Sequence, residues 1–128
     1  MKILIADDHS IVREGLKQYV MTLDEVKLID EAVNGNEAWE KIKAGNYDLV
    51  ILDVAMPGLS GLDVLQKIKS RNIKTHVLIL SVYPQEQFAI RAFKMGASGY
   101  ISKDSAFEEL ILAIKTITSG GRYIASAF

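Results

Sequence analysis

Leu49-Val50-Ile51-Leu52-Asp53-Val54-Ala55-Met56-Pro57-Gly58 decides how this chain is read. Four consecutive apolar residues ending at a carboxylate describe a strand covered on both faces, as in a parallel sheet, rather than one with a wet side. Met56-Pro57-Gly58 then turns the backbone away. A carboxylate at the tip of a buried strand is costly unless a cation or a donor meets it. Asp53 is therefore the candidate reactive group. Its plain structural use would be to end a strand in a turn.

Three more runs repeat the pattern. Ile3-Leu4-Ile5-Ala6 leads into Asp7-Asp8, Val77-Leu78-Ile79-Leu80 into Ser81, and Gly99-Tyr100-Ile101-Ser102 into Lys103. Val26 to Ala32 is a weaker, partly polar strand suited to a sheet edge. Helical segments lie between them. Val12, Leu16, Tyr19 and Val20 form one apolar stripe behind Ser10 as a cap. A second helix runs from Glu37 to about Ala44 after Asn34-Gly35-Asn36. A third opens on the capping box Ser60-Gly61-Leu62-Asp63 and carries Leu62, Leu65 and Ile68 inward. Pro84 suits the first turn of a fourth, which buries Ala89, Ala92 and Phe93 and stops at Gly96. The capping box Ser105-Ala106-Phe107-Glu108 starts a fifth, with Phe107, Leu110, Ile111, Ile114 and Ile117 as its stripe until Gly120-Gly121.

Strand and helix thus alternate five times, which predicts an α/β fold with a five-stranded parallel sheet and helices on both faces. In such a sheet the ligand site lies at the carboxyl ends of the strands, where the strand order reverses. With order 2-1-3-4-5 that point falls between the first and third strands, the two that end in acids. Asp7, Asp8, Asp53, Ser81 and Lys103 then share one rim. At about 5 Å and an effective dielectric near 20, each pair of carboxylates costs roughly 3 kcal/mol, so a cation or a proton is required. Hard oxygen ligands without cysteine fit Mg²⁺. A carboxylate beside Mg²⁺ can attack a phosphoryl group, a lysine can neutralise the transferring oxygens, and a serine can donate to the product. Singly, these residues could also be caps, a turn serine and a solvated strand end. His9 and His76 read as incidental, Trp39 as a surface or partly packed aromatic, and Tyr100 as a core or rim ring.

The totals are those of one ordinary domain. The 128 residues are 49% hydrophobic and 24% charged, with a formal net charge of −1 and no cysteine. Disulfides and thiolate metal sites are excluded, and nothing global favours nucleic acid or membrane. The N-terminal apolar run is too short and too acidic for a signal peptide, which predicts a cytoplasmic protein.

Asp53-Val54-Ala55-Met56-Pro57-Gly58-Leu59-Ser60-Gly61 resembles the D-x-x-M-P-x-x-x-G motif of response-regulator receiver domains of two-component signalling, and the acid pair, hydroxyl, aromatic and lysine occur in the family's order. The resemblance implies a flavodoxin-like fold and a role for each residue. Asp53 would be the phosphoacceptor, Asp8 the direct Mg²⁺ ligand and Asp7 a ligand through water, with the Ala55 carbonyl completing the protein's share. Lys103 and Ser81 would hold the phosphoryl group, and Tyr100 would turn inward as Ser81 moves. The donor would be a sensor histidine kinase, and the domain would speed its own phosphorylation without being a conventional enzyme.

Ala6-Asp7-Asp8-His9-Ser10-Ile11-Val12-Arg13-Glu14-Gly15-Leu16 and Gly96-Ala97-Ser98-Gly99-Tyr100-Ile101-Ser102-Lys103-Asp104 resemble the NarL/FixJ class. That implies residues 1–119 as receiver, 120–128 as the start of a linker, and a LuxR-type helix-turn-helix domain beyond it that would bind DNA. It also implies a homodimer on phosphorylation. Two other readings are weaker. An aspartyl phosphohydrolase would want a second acid where Ala55 stands, and a flavin mononucleotide module would not place Asp7-Asp8 against a phosphate. Ala55 and Tyr83 offer little to orient an attacking water, which predicts slow loss of the phosphoryl group.

Overall fold

The computed structural model describes residues 1–82 and 86–124, the side chain of Glu86 excepted. The expectations for Tyr83 and Pro84 lie outside the described residues. Strands β1 (Lys2–Ala6), β2 (Leu28–Ala32), β3 (Leu49–Asp53), β4 (His76–Ser81), β5 (Gly99–Ser102) and β6 (Tyr123–Ile124) form one parallel sheet in the order β2-β1-β3-β4-β5-β6. Helices α1 (Ser10–Val20), α2 (Gly35–Ala44), α3 (Gly61–Ser70), α4 (Glu86–Lys94) and α5 (Ala106–Thr118) connect or follow them.

The expected order 2-1-3-4-5 is present, with a sixth, two-residue strand added at the edge. It comes from the segment expected to begin a linker. Its Tyr123 donates a hydrogen bond through its hydroxyl to Glu109 Oε1 at 2.6 Å, which ties it to α5.

Alternation along the strands divides the core into two layers. Leu4, Ala6, Val50, Leu52, Val77, Ile79 and Tyr100 face Ala38, Trp39 and Ile42 of α2, Val64, Leu65 and Ile68 of α3, and Ala89 and Ala92 of α4. Ile3, Ile5, Leu49, Ile51, Leu78, Leu80 and Ile101 face Leu16 and Val20 of α1 and Ala106, Leu110, Ala113, Ile114 and Ile117 of α5. All five residues of β3 are buried, as a strand covered on both sides requires.

Several local expectations are corrected. Trp39 is buried, at 9% exposure, because the cations of Lys43, Lys67 and Arg71 lie 5.6–5.8 Å from its ring and close it from water. Ser10 is the first helical residue rather than the cap. His9 holds the cap position without a side-chain bond to the helix; its ring Nδ1 lies 3.1 Å from Asp7 Oδ1 instead, and its backbone N–H donates to the same oxygen at 2.8 Å. The Ser105 capping box does not form. Instead Lys103–Ser105 makes a 3₁₀ turn, and the Ser102 hydroxyl accepts from Asp104 N–H. The Ser60–Asp63 capping box forms in both directions, at 3.1 and 3.0 Å.

Candidate functional site

Register carries the candidate residues to one rim. Ala6 pairs with Leu52, so Asp7 follows on β1 where Asp53 follows on β3. Asp53 pairs with Leu80, one residue before Ser81. Ser81 pairs with Ser102, one residue before Lys103.

The side chains then meet. Lys103 Nζ lies 2.9 Å from Asp53 Oδ2 and 3.0 Å from Asp7 Oδ2. Asp7, Asp8, His9 and Asp53 each present one ligand atom within 4.8 Å of all the others. Asp7 and Asp53 are buried, at 0 and 1% exposure, while Asp8 keeps contact with solvent. Asp53 Oδ1 accepts from Ala55 N–H at 3.3 Å.

Burial lifts the Asp53 carboxyl above its ordinary range, and the neighbouring Asp7 charge adds to that; the Lys103 ammonium opposes it without cancelling it. Burial also works against the charge on Lys103, but its contacts with Asp53 and Asp7 outweigh burial and hold the amine above its usual range. Three carboxylates against one ammonium leave two formal negative charges, which a divalent cation would balance. Among the described residues, the buried Asp7 Oδ2 meets only the Lys103 ammonium, at 3.0 Å, and makes no well-directed hydrogen bond. Both observations fit a divalent cation held by Asp7, Asp8 and Asp53, with oxygen donors suited to Mg²⁺.

The supporting contacts are local. Arg13 donates through Nη1 to the Asp7 carbonyl at 2.7 Å and through Nε to Glu31 Oε1 at 3.0 Å, while Lys17 reaches Glu31 Oε2 at 3.4 Å. These cations overcome the effect of burial and lower the Glu31 carboxyl below its usual range. On β3's far side, a Cβ on Gly61 would stand 2.4 Å from the Asp53 carbonyl oxygen, so only glycine lets α3 begin this close to the strand end. Gly58, at φ +77°, makes the turn between them. Ser81 is buried, and its side chain shares a hydrogen bond with the fully buried Tyr100, whose phenol is pushed up chiefly by burial. Tyr100 therefore already faces inward.

The receiver-family sequence profile, described as "Response regulator receiver domain", matches residues 3–115. The chain belongs to the response-regulator receiver family. This receiver is 39% identical over 125 residues to the oxygen regulatory protein NreC of Staphylococcus carnosus, covering 97% of this chain and 58% of that protein. It spans little more than half the length of the curated relatives it matches. Among solved structures it is similar to a LuxR-family two-component response regulator from Aurantimonas, with 32% identity, a TM-score of 0.91 and coverage of 98% and 89% of the two chains. It is also similar to the NarL signal receiver domain of Mycobacterium tuberculosis, with 32% identity, a TM-score of 0.86 and coverage of 93% and 96%. The receiver is of the NarL/LuxR type, a family of response regulators rather than of conventional enzymes. Among its described residues, no helix is long and apolar enough to cross a membrane.

The residue that sequence reasoning missed is His9. Its Nδ1 lies 3.1 Å from Asp7 Oδ1, 3.2 Å from Asp8 Oδ1 and 3.1 Å from Lys103 Nζ. Adjacency to the acid pair was the available signal. A histidine three residues past a strand end can face either way, so the signal did not decide.

Proposed function

We propose that this receiver accepts a phosphoryl group on Asp53 from the phosphohistidine of a sensor histidine kinase, and that the phosphorylated state controls a partner-binding face. The observation that carries this is the buried Asp53 carboxylate, 2.9 Å from the Lys103 ammonium and beside acids left two charges short of neutrality. One Asp53 oxygen attacks phosphorus as the donor's N–P bond breaks, and the released imidazole keeps the electron pair and takes a proton from water. Lys103 neutralises a transferring oxygen, and Ser81 donates to another. Asp8 would hold Mg²⁺ directly, Asp7 through water and Ala55 by its carbonyl; when bound, the ion supplies further charge neutralisation at the phosphoryl oxygens.

The hydrogen bond between Ser81 and Tyr100 links the phosphoryl site to the last strands, so a shift of Ser81 would reposition the ring. A second copy of the chain is the proposed reader of that change. By analogy with the LuxR-type relatives, a LuxR-type domain joined by a linker that follows β6 would bind DNA, and the protein would act in the cytoplasm.

Incubation with Mg²⁺ and acetyl phosphate, followed by intact-protein mass measurement, should show one added phosphate. Asp53→Asn should show none. Incorporation that survives this substitution, or multiple turnover of a phosphomonoester, overturns the assignment. Sedimentation of the phosphorylated chain should show a dimer fraction that the Asp53→Asn chain lacks.

A further inference from the structure

Two segments that carry the polar rim run straight into helices. Asp7, Asp8 and His9 lead into α1, and Lys103 opens the 3₁₀ turn that leads into α5. Those helices share the apolar layer on one face of the sheet. They also meet through one aromatic ring, that of Phe107, at the start of α5. A Cβ on Gly15 of α1 would stand 2.8 Å from two atoms of that ring, so glycine leaves a notch which the ring fills. Tyr19, one turn further along the same face of α1, stacks on it, with centroids 5.4 Å apart and planes 29° apart. Phe107 and Tyr19 are 37 and 44% exposed, so the pair lies at the surface rather than in the core.

We propose that Phe107, seated between Gly15 and Tyr19, is a positioning residue for Lys103. It fastens the turn that carries the amine to the helix that follows the acid pair, so the ammonium keeps its contacts with Asp53 at 2.9 Å and Asp7 at 3.0 Å. The turn gains little fastening from its own small side chains. Ser102 Oγ accepts from Asp104 N–H at 3.2 Å and Ser105 Oγ donates to the Ser102 carbonyl at 3.5 Å, and both bonds close within the turn without reaching α1. The inference rests on the reading of Asp53 as phosphoacceptor with Lys103 as its charge partner. A methyl group at Gly15 meets only the far end of the Phe107 ring, so the ring swings out and the backbone stays.

The test is the rate of phosphate incorporation from acetyl phosphate at saturating Mg²⁺, at a temperature where melts show every variant folded. Gly15→Ala should slow incorporation about threefold or more, as a displaced charge partner does. Phe107→Leu should slow it to a similar extent. Adding Gly15→Ala to Phe107→Leu should change nothing further, because the ring that the methyl group displaces is gone. In a Lys103→Gln chain, already slow, Gly15→Ala should have no effect, whereas general loosening of the fold would slow both backgrounds alike. Unchanged rates in the two single variants, additive losses in the double variant, or an equal further loss beside Lys103→Gln each overturn the proposal and leave the phosphoacceptor reading intact. No incorporation by the unaltered chain, or incorporation that survives Asp53→Asn, overturns that reading itself.

Discussion

At the scale of the residue, Asp53 sets function against stability. Its carboxyl is raised above the ordinary value of 3.8 in the fold, so the folded chain holds that proton more tightly than the unfolded chain does. Stability contributed by Asp53 therefore falls as pH rises from about that value through the raised one, and ionised Asp53 is a cost at neutral pH. Asp53→Asn should melt at a higher temperature than the unaltered chain near neutrality, and the difference should shrink as pH falls toward 3.8. Thermal melts across that range check this; a constant difference would place the strain elsewhere. Lys103 behaves oppositely. Its raised value keeps its contribution in place below the ordinary 10.5, and the contribution is lost only at still higher pH. Mg²⁺ at about a hundred times its dissociation constant should add about 2.7 kcal/mol to the unaltered chain, and Asp8→Asn should lose most of that gain.

At the scale of the element, the site depends on how strand ends and helix starts are fastened. Arg13 on α1 joins the Asp7 carbonyl at the end of β1 to Glu31 on β2. Arg13→Ala leaves both acceptors short of a donor and should cost about 1–3 kcal/mol in urea unfolding, with weaker Mg²⁺ binding. An unchanged metal affinity would show that β1 holds Asp7 unaided. On the other side, α3 starts against the Asp53 carbonyl, and Gly61→Ala puts a methyl group 2.4 Å from that oxygen. Backbone must shift, so a loss of about 1–3 kcal/mol is expected, together with slower phosphate incorporation. The capping box beside it stabilises the same helix start, but it faces solvent and Ser60→Ala should cost only about 1 kcal/mol.

At the scale of the whole molecule, the fold separates a packed interior from one polar rim. Two hydrophobic layers hold the sheet rigid, so acids and an amine far apart in sequence can be kept in register despite their mutual cost. The last strand extends this scaffold. Burial and the bond to Glu109 push the Tyr123 phenol up to about 12. Tyr123→Phe should remove one late-titrating tyrosine from an ultraviolet titration. It should also cost about 0.5–1.5 kcal/mol, the usual worth of one hydrogen bond. No change in the titration would mean that β6 does not dock on α5.

Apolar runs ending in polar residues were enough to determine the strands, their alternation with helices, the parallel sheet and the rim shared by Asp7, Asp8, Asp53, Ser81 and Lys103. Buried parallel strands leave that imprint because every residue along them must be apolar until the rim is reached. Spacing cannot show where a neighbouring element comes to rest, and the later findings were of that kind. Trp39 is closed in by cations from its own helix and from α3, so no local pattern marked it as buried. Tyr123–Ile124 is too short to read as a strand and exists because β5 offers an open edge. His9 faces the acids because its backbone N–H is taken by Asp7, which stands at the end of a strand that Arg13 and the sheet also hold. Sequence thus determined which chemistry gathers at the rim; tertiary structure alone decided which side chains point into it, since orientation depends on contacts between segments far apart in the chain.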